Sequence, residues 1–283
     1  MAIFKHLNRE EYSEFVCGCG AAIINIGITF PINKVIFRQM LHGMALRHAA
    51  NQLFSEGFRT LYRGIGPPLL QKGISTSLMF GTYDAIQKPL LNTNMNVTIS
   101  KGIAALMAGT AEATLTPFER VQTLLQDNHY NKQFANMRDV IKVIATKYSA
   151  TEFYRGVTPV LMRNGPSSTS FFLLRETANK YIVLPPNAWA GFRVIKEFLT
   201  GAFIGALNST LFYPCNVLKV HMQSSLGGPF ISIRQAAIDV YKERGRKISY
   251  FYRGVHMNCT RSFVSWGIVN LAYENLKNVI KKN

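Results

Sequence analysis

Charge is scarce in this chain, and acid is scarcer than base. Only 17% of the 283 residues are charged, and 32 Lys+Arg against 15 Asp+Glu leave a formal net charge of +17. Soluble domains carry about a quarter charged residues, so an ordinary soluble fold is disfavoured. Cysteine is also sparse, with four in all. Cys17 and Cys19 fall on opposite sides of a helix, while Cys215 and Cys259 stand alone, which excludes a disulfide framework. His6, His42, His48, His129, His221 and His256 form no metal-ligand spacing with them. No nucleophile, acid pair or metal cluster makes a credible catalytic set, so no enzyme activity and no bound cofactor or metal are expected. The first fifteen residues hold Lys5, Arg9, Glu10, Glu11 and Glu14 and no long apolar run, so any targeting signal is expected to be internal.

Apolar matter is abundant: 48% of residues are hydrophobic and the mean hydropathy is +0.06. That excludes a disordered basic tail. Binding to nucleic acid would account for the positive charge but not for the long apolar stretches. Residues 15–33 and 198–218 are uncharged throughout, long enough to cross a bilayer core of about 30 Å. Four more stretches carry isolated charges: 65–86, 99–125, 158–179 and 256–277. A mid-membrane charge costs at least about 2.5–3.5 kcal/mol and usually faces a bundle interior or a wet cavity. Six transmembrane helices are therefore expected. The loops near 41–66, 127–158 and 223–256 hold more than twice the Lys and Arg of the termini and short loops, which places them on the inner side of the membrane.

Three landmarks recur in one order, three times. Pro31, Pro117 and Pro214 sit late in the first, third and fifth apolar stretches. Then come Tyr62-Arg63-Gly64, Tyr154-Arg155-Gly156 and Tyr252-Arg253-Gly254, followed by Tyr83-Asp84, Arg175-Glu176 and Tyr273-Glu274. The expected architecture is an all-α membrane protein: six transmembrane helices in three pseudo-threefold repeats, each with a short loop helix, around a central cavity. The repeats are set at 1–97, 98–193 and 194–283 and form one integrated domain. The prolines should bend the odd helices. Gly18/Ala22, Ala104/Ala108 and Gly201/Gly205 have the spacing that allows close helix packing. Gly18-x-Gly20 is no dinucleotide fingerprint, because Ile23 stands where a third glycine belongs and the run reads as a membrane span.

With these landmarks the sequence resembles the mitochondrial carrier family over nearly its whole length. The family pattern, Pro-x-acid-x-x-base-x-base-x-Gln, is present with losses: Pro31, Asn33, Ile36, Arg38, Met40; Pro117, Glu119, Gln122, Leu124, Gln126; Pro214, Asn216, Lys219, His221, Gln223. The stretches from Phe30, Tyr62, Pro67, Thr116 and Ser265 are most similar to family members that carry NAD. The resemblance implies a multi-pass inner-membrane transporter, a monomer, moving NAD into the matrix by alternating access; NAD is passenger, not cofactor. Another nucleotide, coenzyme A or a carboxylate anion is the alternative passenger, the last suggested by the base-amide pair Arg163-Asn164.

The resemblance also implies two gates. Toward the matrix, Asn33 faces Gln122, Glu119 faces Lys219 and Asn216 faces Ile36, so only Glu119–Lys219 can be ionic. On the cytoplasmic side Asp84, Glu176 and Glu274 face Gln87, Asn179 and Lys277, leaving Glu176–Lys277. The implied substrate contacts are Gln71, Arg163 and Arg261, with Lys72 and Asn164 beside them. Arginine forks suit pyrophosphate oxygens and Lys72 offers a point charge, or snorkels toward water. Mid-membrane acids are too few to pair both arginines, which favours substrate. Glu112 either pairs with one of these bases or meets a cationic nicotinamide or a ribose. Ser167 can hydrogen-bond the passenger; Trp266 stacks on it or faces lipid. Gly64, Gly156 and Gly254 open the even helices, where free amides attract phosphate; in the family these places hold cardiolipin, with a simple packing turn as the other reading.

Overall fold

The computed structural model describes residues 9–93, 95–182, 185 and 190–282. Among them the chain is helical, with no strand. The elements are α1 (Arg9–His42), α2 (Leu46–Ser55), α3 (Phe58–Leu61), α4 (Gly66–Leu91), α5 (Val97–Ala111), α6 (Thr116–Gln126), α7 (Met137–Lys147), α8 (Val157–Tyr181), α9 (Ala190–Leu211), α10 (Tyr213–Ser224), α11 (Ile233–Glu243) and α12 (Val255–Lys282). One plan recurs: a long rod, a short helix in the loop, and a second long rod that starts just past a Tyr-Arg-Gly landmark.

The prolines act differently in the three rods. Pro31 lies inside an unbroken α1. In the second repeat the rod tightens into a 3-10 turn at Glu112–Leu115 and restarts as α6, with Pro117 in its first turn. In the third, α9 ends at Leu211 and α10 restarts with Pro214 in its first turn. Proline has no N–H to give the preceding turn and its ring crowds that turn, so a restart places it where a helix tolerates it. Thr116 Oγ1 donates to Ala113 O at 2.6 Å and occupies one carbonyl at the break.

The rods pack in chain order, α1 on α4, α4 on α5 and α6, α5 on α8, α8 on α9 and α10, α9 on α12, and α12 closes on α1. At the end that bears α2, α7 and α11, here called the loop end, α10 also touches both α1 and α6. Three apolar clusters hold this end. Val35 packs with Ala49, Leu53 and Leu61. Leu124 and Leu125 pack with Phe134, Val140 and Ile144. The third cluster joins Ile36, Phe37 and Met40 of α1 to Tyr213, Val217 and Val220 of α10 and Val240 of α11, so it binds the first repeat to the third. Burying one such side chain stabilises by about 1.5–3 kcal/mol.

The same end carries a cyclic clamp. Arg63 donates to the carbonyls of Tyr130, Asn131 and Phe134, in the loop after α6. Arg155 donates to the carbonyls of Gly228 (2.7 Å) and Pro229 (3.2 Å), in the loop after α10. Arg253 donates to Gly43 O, in the loop after α1. Each landmark arginine thus grips the loop of the next repeat, and the third grips the first. The following glycines have φ of +87°, +76° and +94°. A Cβ at Gly156 would meet Gln223 Cγ at 2.9 Å, and one at Gly254 would meet the Tyr213 hydroxyl at 2.4 Å. Both the backbone conformation and the close approach call for glycine there.

Small residues set the spacing along the rods, with one change from expectation. On α1 the packed face is Cys17 and Ala21, both fully buried, while Gly18 is exposed with open space around it. Ala104 and Ala108 are fully buried as the spacing implied, and Gly109 lies against the Asn164 carbonyl. Gly201 and Gly205 make room for the Trp266 ring, 2.8 Å from a Cβ built at Gly201. Trp266 is therefore a half-buried wedge between α9 and α12.

Outward faces of the rods are apolar: Ile23, Ile28, Phe203 and Leu271 are each more than half exposed. Among the described residues one helical stretch, Val16–His42, is long and apolar enough by itself to cross a membrane.

Candidate functional site

Where α6, α8 and α10 converge, Glu119, Asn216 and Lys219 of the expected matrix gate meet in one corner with Arg163. The only acid there, Glu119, stands one turn into α6 because Pro117 restarts the helix at that point. Its Oε2 lies 3.5 Å from Lys219 Nζ and its Oε1 lies 3.3 Å from Arg163 Nη2. Charge-assisted hydrogen bonds normally run about 2.7–2.9 Å, so both contacts are long and Glu119 Oε2 has no hydrogen-bond partner. Arg163 reaches further: Nη1 donates to Asn216 Oδ1 at 2.7 Å, and Nε and Nη2 donate to Asn164 Oδ1 at 2.8 and 2.6 Å. One guanidinium therefore ties α8 to α6 and α10. Acids were expected to be too few to pair both arginines; Arg163 is the one that meets an acid, Glu119.

The other gate positions at this end are unlike that corner. Asn33 and Gln122 are half-buried and form no side-chain hydrogen bond with described residues; Ile36 is buried in the α1–α10 cluster. At the opposite end the expected Glu176–Lys277 pair is replaced. Glu176 pairs with Lys101 of α5 at 2.9 Å, its neighbour through the α5–α8 packing, and Lys277 lies 5.6 Å from the Tyr273 ring. Asp84, Asn179 and Glu274 are exposed and Gln87 is half-buried. A further pair, Arg175–Glu197 at 3.2 Å, joins α8 to α9 near this end.

Between the two ends lie the expected contact residues. Arg261 donates to Asn258 Oδ1 of its own helix at 3.1 Å and has no acid within ion-pair reach among the described residues. Glu112, in the 3-10 turn, accepts a hydrogen bond from Ser75 of α4; neither expected base partner reaches it. Gln71, one turn before Ser75, is half-buried, whereas Lys72 beside it is exposed. Asn164 is buried and given over to Arg163. Ser167 is taken by Asn208 of α9, whose Nδ2 donates to its Oγ at 2.8 Å and its carbonyl at 3.0 Å.

Beside Gly64 is a cavity of about 690 Å³ lined by Arg59, Arg63, Leu125, Asn136 and Met137. The first turns of α4 and α7 both border it, but Pro67 and Pro68 give α4 no N–H there, and Asn136 caps Arg138 N and Asp139 N of α7. Arg63 is given over to the loop carbonyls. These contacts correct the expectation of free amides beside Gly64. Gly156 and Gly254 occupy the corresponding turns of the other repeats.

Sequence reading missed a set of buried charges at the loop end. Arg38, 2% exposed, pairs with Glu56 at 2.5 Å. Arg120 and Glu152, 0% and 4% exposed, pair at 2.6 Å, with Arg155 completing the group at 3.0 Å. Lys34 donates to the carbonyls of Thr60 and Arg63. Lys34 and Arg120 share a register, three residues past their prolines, and that repeat was the signal available.

A helical chain of three like modules, closed on itself and bolted at the loop end, is the build of a solute carrier. The sequence pattern described as mitochondrial carrier protein matches residues 8–94, 95–185 and 191–283, and the chain belongs to that family. It is 43% identical over 275 residues to the human protein named mitochondrial nicotinamide adenine dinucleotide transporter, covering 96% of this chain and 91% of the relative. The mouse protein of that name is 40% identical over 273 residues, covering 95% and 90%.

Proposed function

We propose that this chain is a multi-pass carrier of the mitochondrial inner membrane that moves NAD into the matrix by alternating access. In this reading the rods form six transmembrane helices, the three repeats act as one transmembrane unit, and a central cavity opens away from the loop end. The chain works as a monomer and takes cardiolipin beside Gly64, Gly156 and Gly254, at the starts of the even helices. Apolar outward faces of the rods support the membrane assignment.

One observation carries the choice of passenger. Arg163 and Arg261 stand at the same register of α8 and α12, seven residues past their glycines, in a chain 43% identical to a protein named for NAD transport. Two guanidinium forks match the two phosphates of a dinucleotide, with the Lys72 ammonium as a third cation. Glu112, held by Ser75, supplies an acid that suits a cationic nicotinamide. Gln71 and Asn164 complete the polar lining, and the Glu119–Lys219 corner with Asn33, Gln122 and Asn216 forms the matrix gate. Asp84, Gln87, Glu176, Asn179, Glu274 and Lys277 form the cytoplasmic gate once that end closes.

The test is uptake of labelled NAD into liposomes that hold the purified protein. Unlabelled NAD should compete, and NADH, which lacks the nicotinamide charge, should compete less well. Uptake no greater than in protein-free liposomes refutes the passenger. Equal competition by NADH refutes the role given to Glu112 alone.

A further inference from the structure

We infer that Lys101 is a positioning residue for the cytoplasmic gate: it competes with Lys277 for the Glu176 carboxylate and so sets how readily the open end closes. This rests on the proposed gate reading and adds to it a side chain that lies outside the gate positions themselves.

Glu176 stands on a helix with neighbours on two flanks. α5 packs on one flank of α8; α9, with α12 beyond it, packs on the other. The carrier pattern matches Glu176 to Lys277 of α12, yet its Oε1 accepts from Lys101 Nζ of α5 at 2.9 Å. That is a normal length for a charge-assisted hydrogen bond, and it draws the carboxylate to the flank away from α12. Lys277 lies 5.6 Å from the Tyr273 ring of its own helix. Closure that brings Glu176 to Lys277 has to break the pair with Lys101, so one acid is contested by two cations on opposite sides.

The repeats show that this cation is particular to one place. Lys101 stands sixteen residues before Pro117; the same register holds Phe15 before Pro31 and Phe198 before Pro214. Of the three landmark acids Asp84, Glu176 and Glu274, Glu176 alone has a cation as its expected gate partner, and it is the one that Lys101 engages. A ring contact supports the arrangement. Phe172, one turn before Glu176, stacks on Tyr83 of α4 with ring centres 5.0 Å apart and planes 18° apart. Because α5 packs between α4 and α8, a stack from α4 to α8 holds that turn of α8 over α5 and keeps Glu176 within reach of Lys101. The pair is 32% and 40% exposed, which limits its worth to a modest factor in an equilibrium. That size suits a bias: it favours the open end without locking it.

Spin labels at Tyr181 and Asn278, exposed near the ends of α8 and α12, read the closed fraction of the open end without substrate and at one fixed concentration of NAD. Lys101→Gln should raise the ratio of short to long distances about twofold to fivefold in at least one of the two conditions. Lys101→Arg, which keeps the charge, should stay near wild type. In a Lys277→Met or a Glu176→Gln background no competition remains, and Lys101→Gln should change the ratio less than about 1.5-fold. A ratio that Lys101→Gln leaves unchanged or lowers in both conditions overturns the inference. So does a gain that survives Lys277→Met, which would make Lys101 a strut that opposes closure by itself. The gate reading is checked apart, because Lys277→Met alone should lower the closed fraction. If it does so while Lys101→Gln changes nothing, the inference alone fails. If Lys277→Met also changes nothing, the gate role of Lys277 fails and takes the inference with it.

Discussion

The two ends of the bundle are built from the same kinds of residue and hold together in opposite ways. At the loop end, ion pairs are buried: Arg120–Glu152 at 0% and 4% exposure, Arg38–Glu56 at 2% and 24%. Around them lie three apolar clusters and three arginines clamped onto backbone carbonyls. At the other end the pairs Lys101–Glu176 and Arg175–Glu197 are 32–50% exposed and join adjacent helices only. Water screens the second set and spares the first, so similar distances correspond to very different energies. One end is a fastened base; the other is free to change its contacts.

The comparison breaks most readily at the buried triad. Glu152→Ala strands the Arg120 and Arg155 charges and should lower stability by about 3–5 kcal/mol, seen as a collapse of the thermal midpoint or of folded yield. Retention of a wild-type midpoint would show that burial at this end is not what fastens it.

Next in size is Glu119→Gln, which removes the only acid of the matrix gate. NAD uptake should fall by about tenfold or more, with a smaller drop in midpoint, since the loss of a charge-assisted contact is worth about 1.5–3 kcal/mol. If neither quantity moves, Glu119 is not a gate residue.

A third substitution separates passenger from gate. Arg261→Gln should raise KM for NAD about tenfold and leave the substrate-free midpoint at or above that of wild type, because no acid among the described residues depends on this guanidinium. A fall in midpoint with KM intact would assign Arg261 to packing instead.

The smallest effect belongs to the open end. Lys101→Ala should shift stability by less than about 1 kcal/mol, as expected of an exposed pair. A loss as large as that of Glu152→Ala would erase the contrast between the ends.

Much of this was written in periodic features. Apolar stretches, the three prolines and the three Tyr-Arg-Gly landmarks foretold the helical rods and their threefold order, because backbone chemistry at proline and glycine is local. Glu119 and Lys219 were placed in one corner by the resemblance to the carrier family, whose pattern the repeat register located. What register could not supply was the partner reached across helices. The scarcity of acids left open which of Arg163 and Arg261 would be paired, and Glu119, far from Arg163 in the chain, takes that place. Glu176 was matched to Lys277 by symmetry, yet Lys101 on its own neighbouring helix takes it. Trp266 was ambiguous until Gly201 and Gly205 were seen beneath its ring. The buried Lys34 and Arg120 went unnoticed since a charge near a helix end usually reads as solvated.

Distances between spin labels test the fastened-base account most directly. Labels at Lys180 and Asn278, exposed near the ends of α8 and α12, report on the open end; labels at Asn51 of α2 and Lys142 of α7 report on the loop end. Without substrate the loop-end distribution should be narrow, and saturating NAD should shorten the distance across the open end while broadening the one across the loop end. Distributions at both ends that stay fixed while the labelled protein still transports NAD would contradict the account.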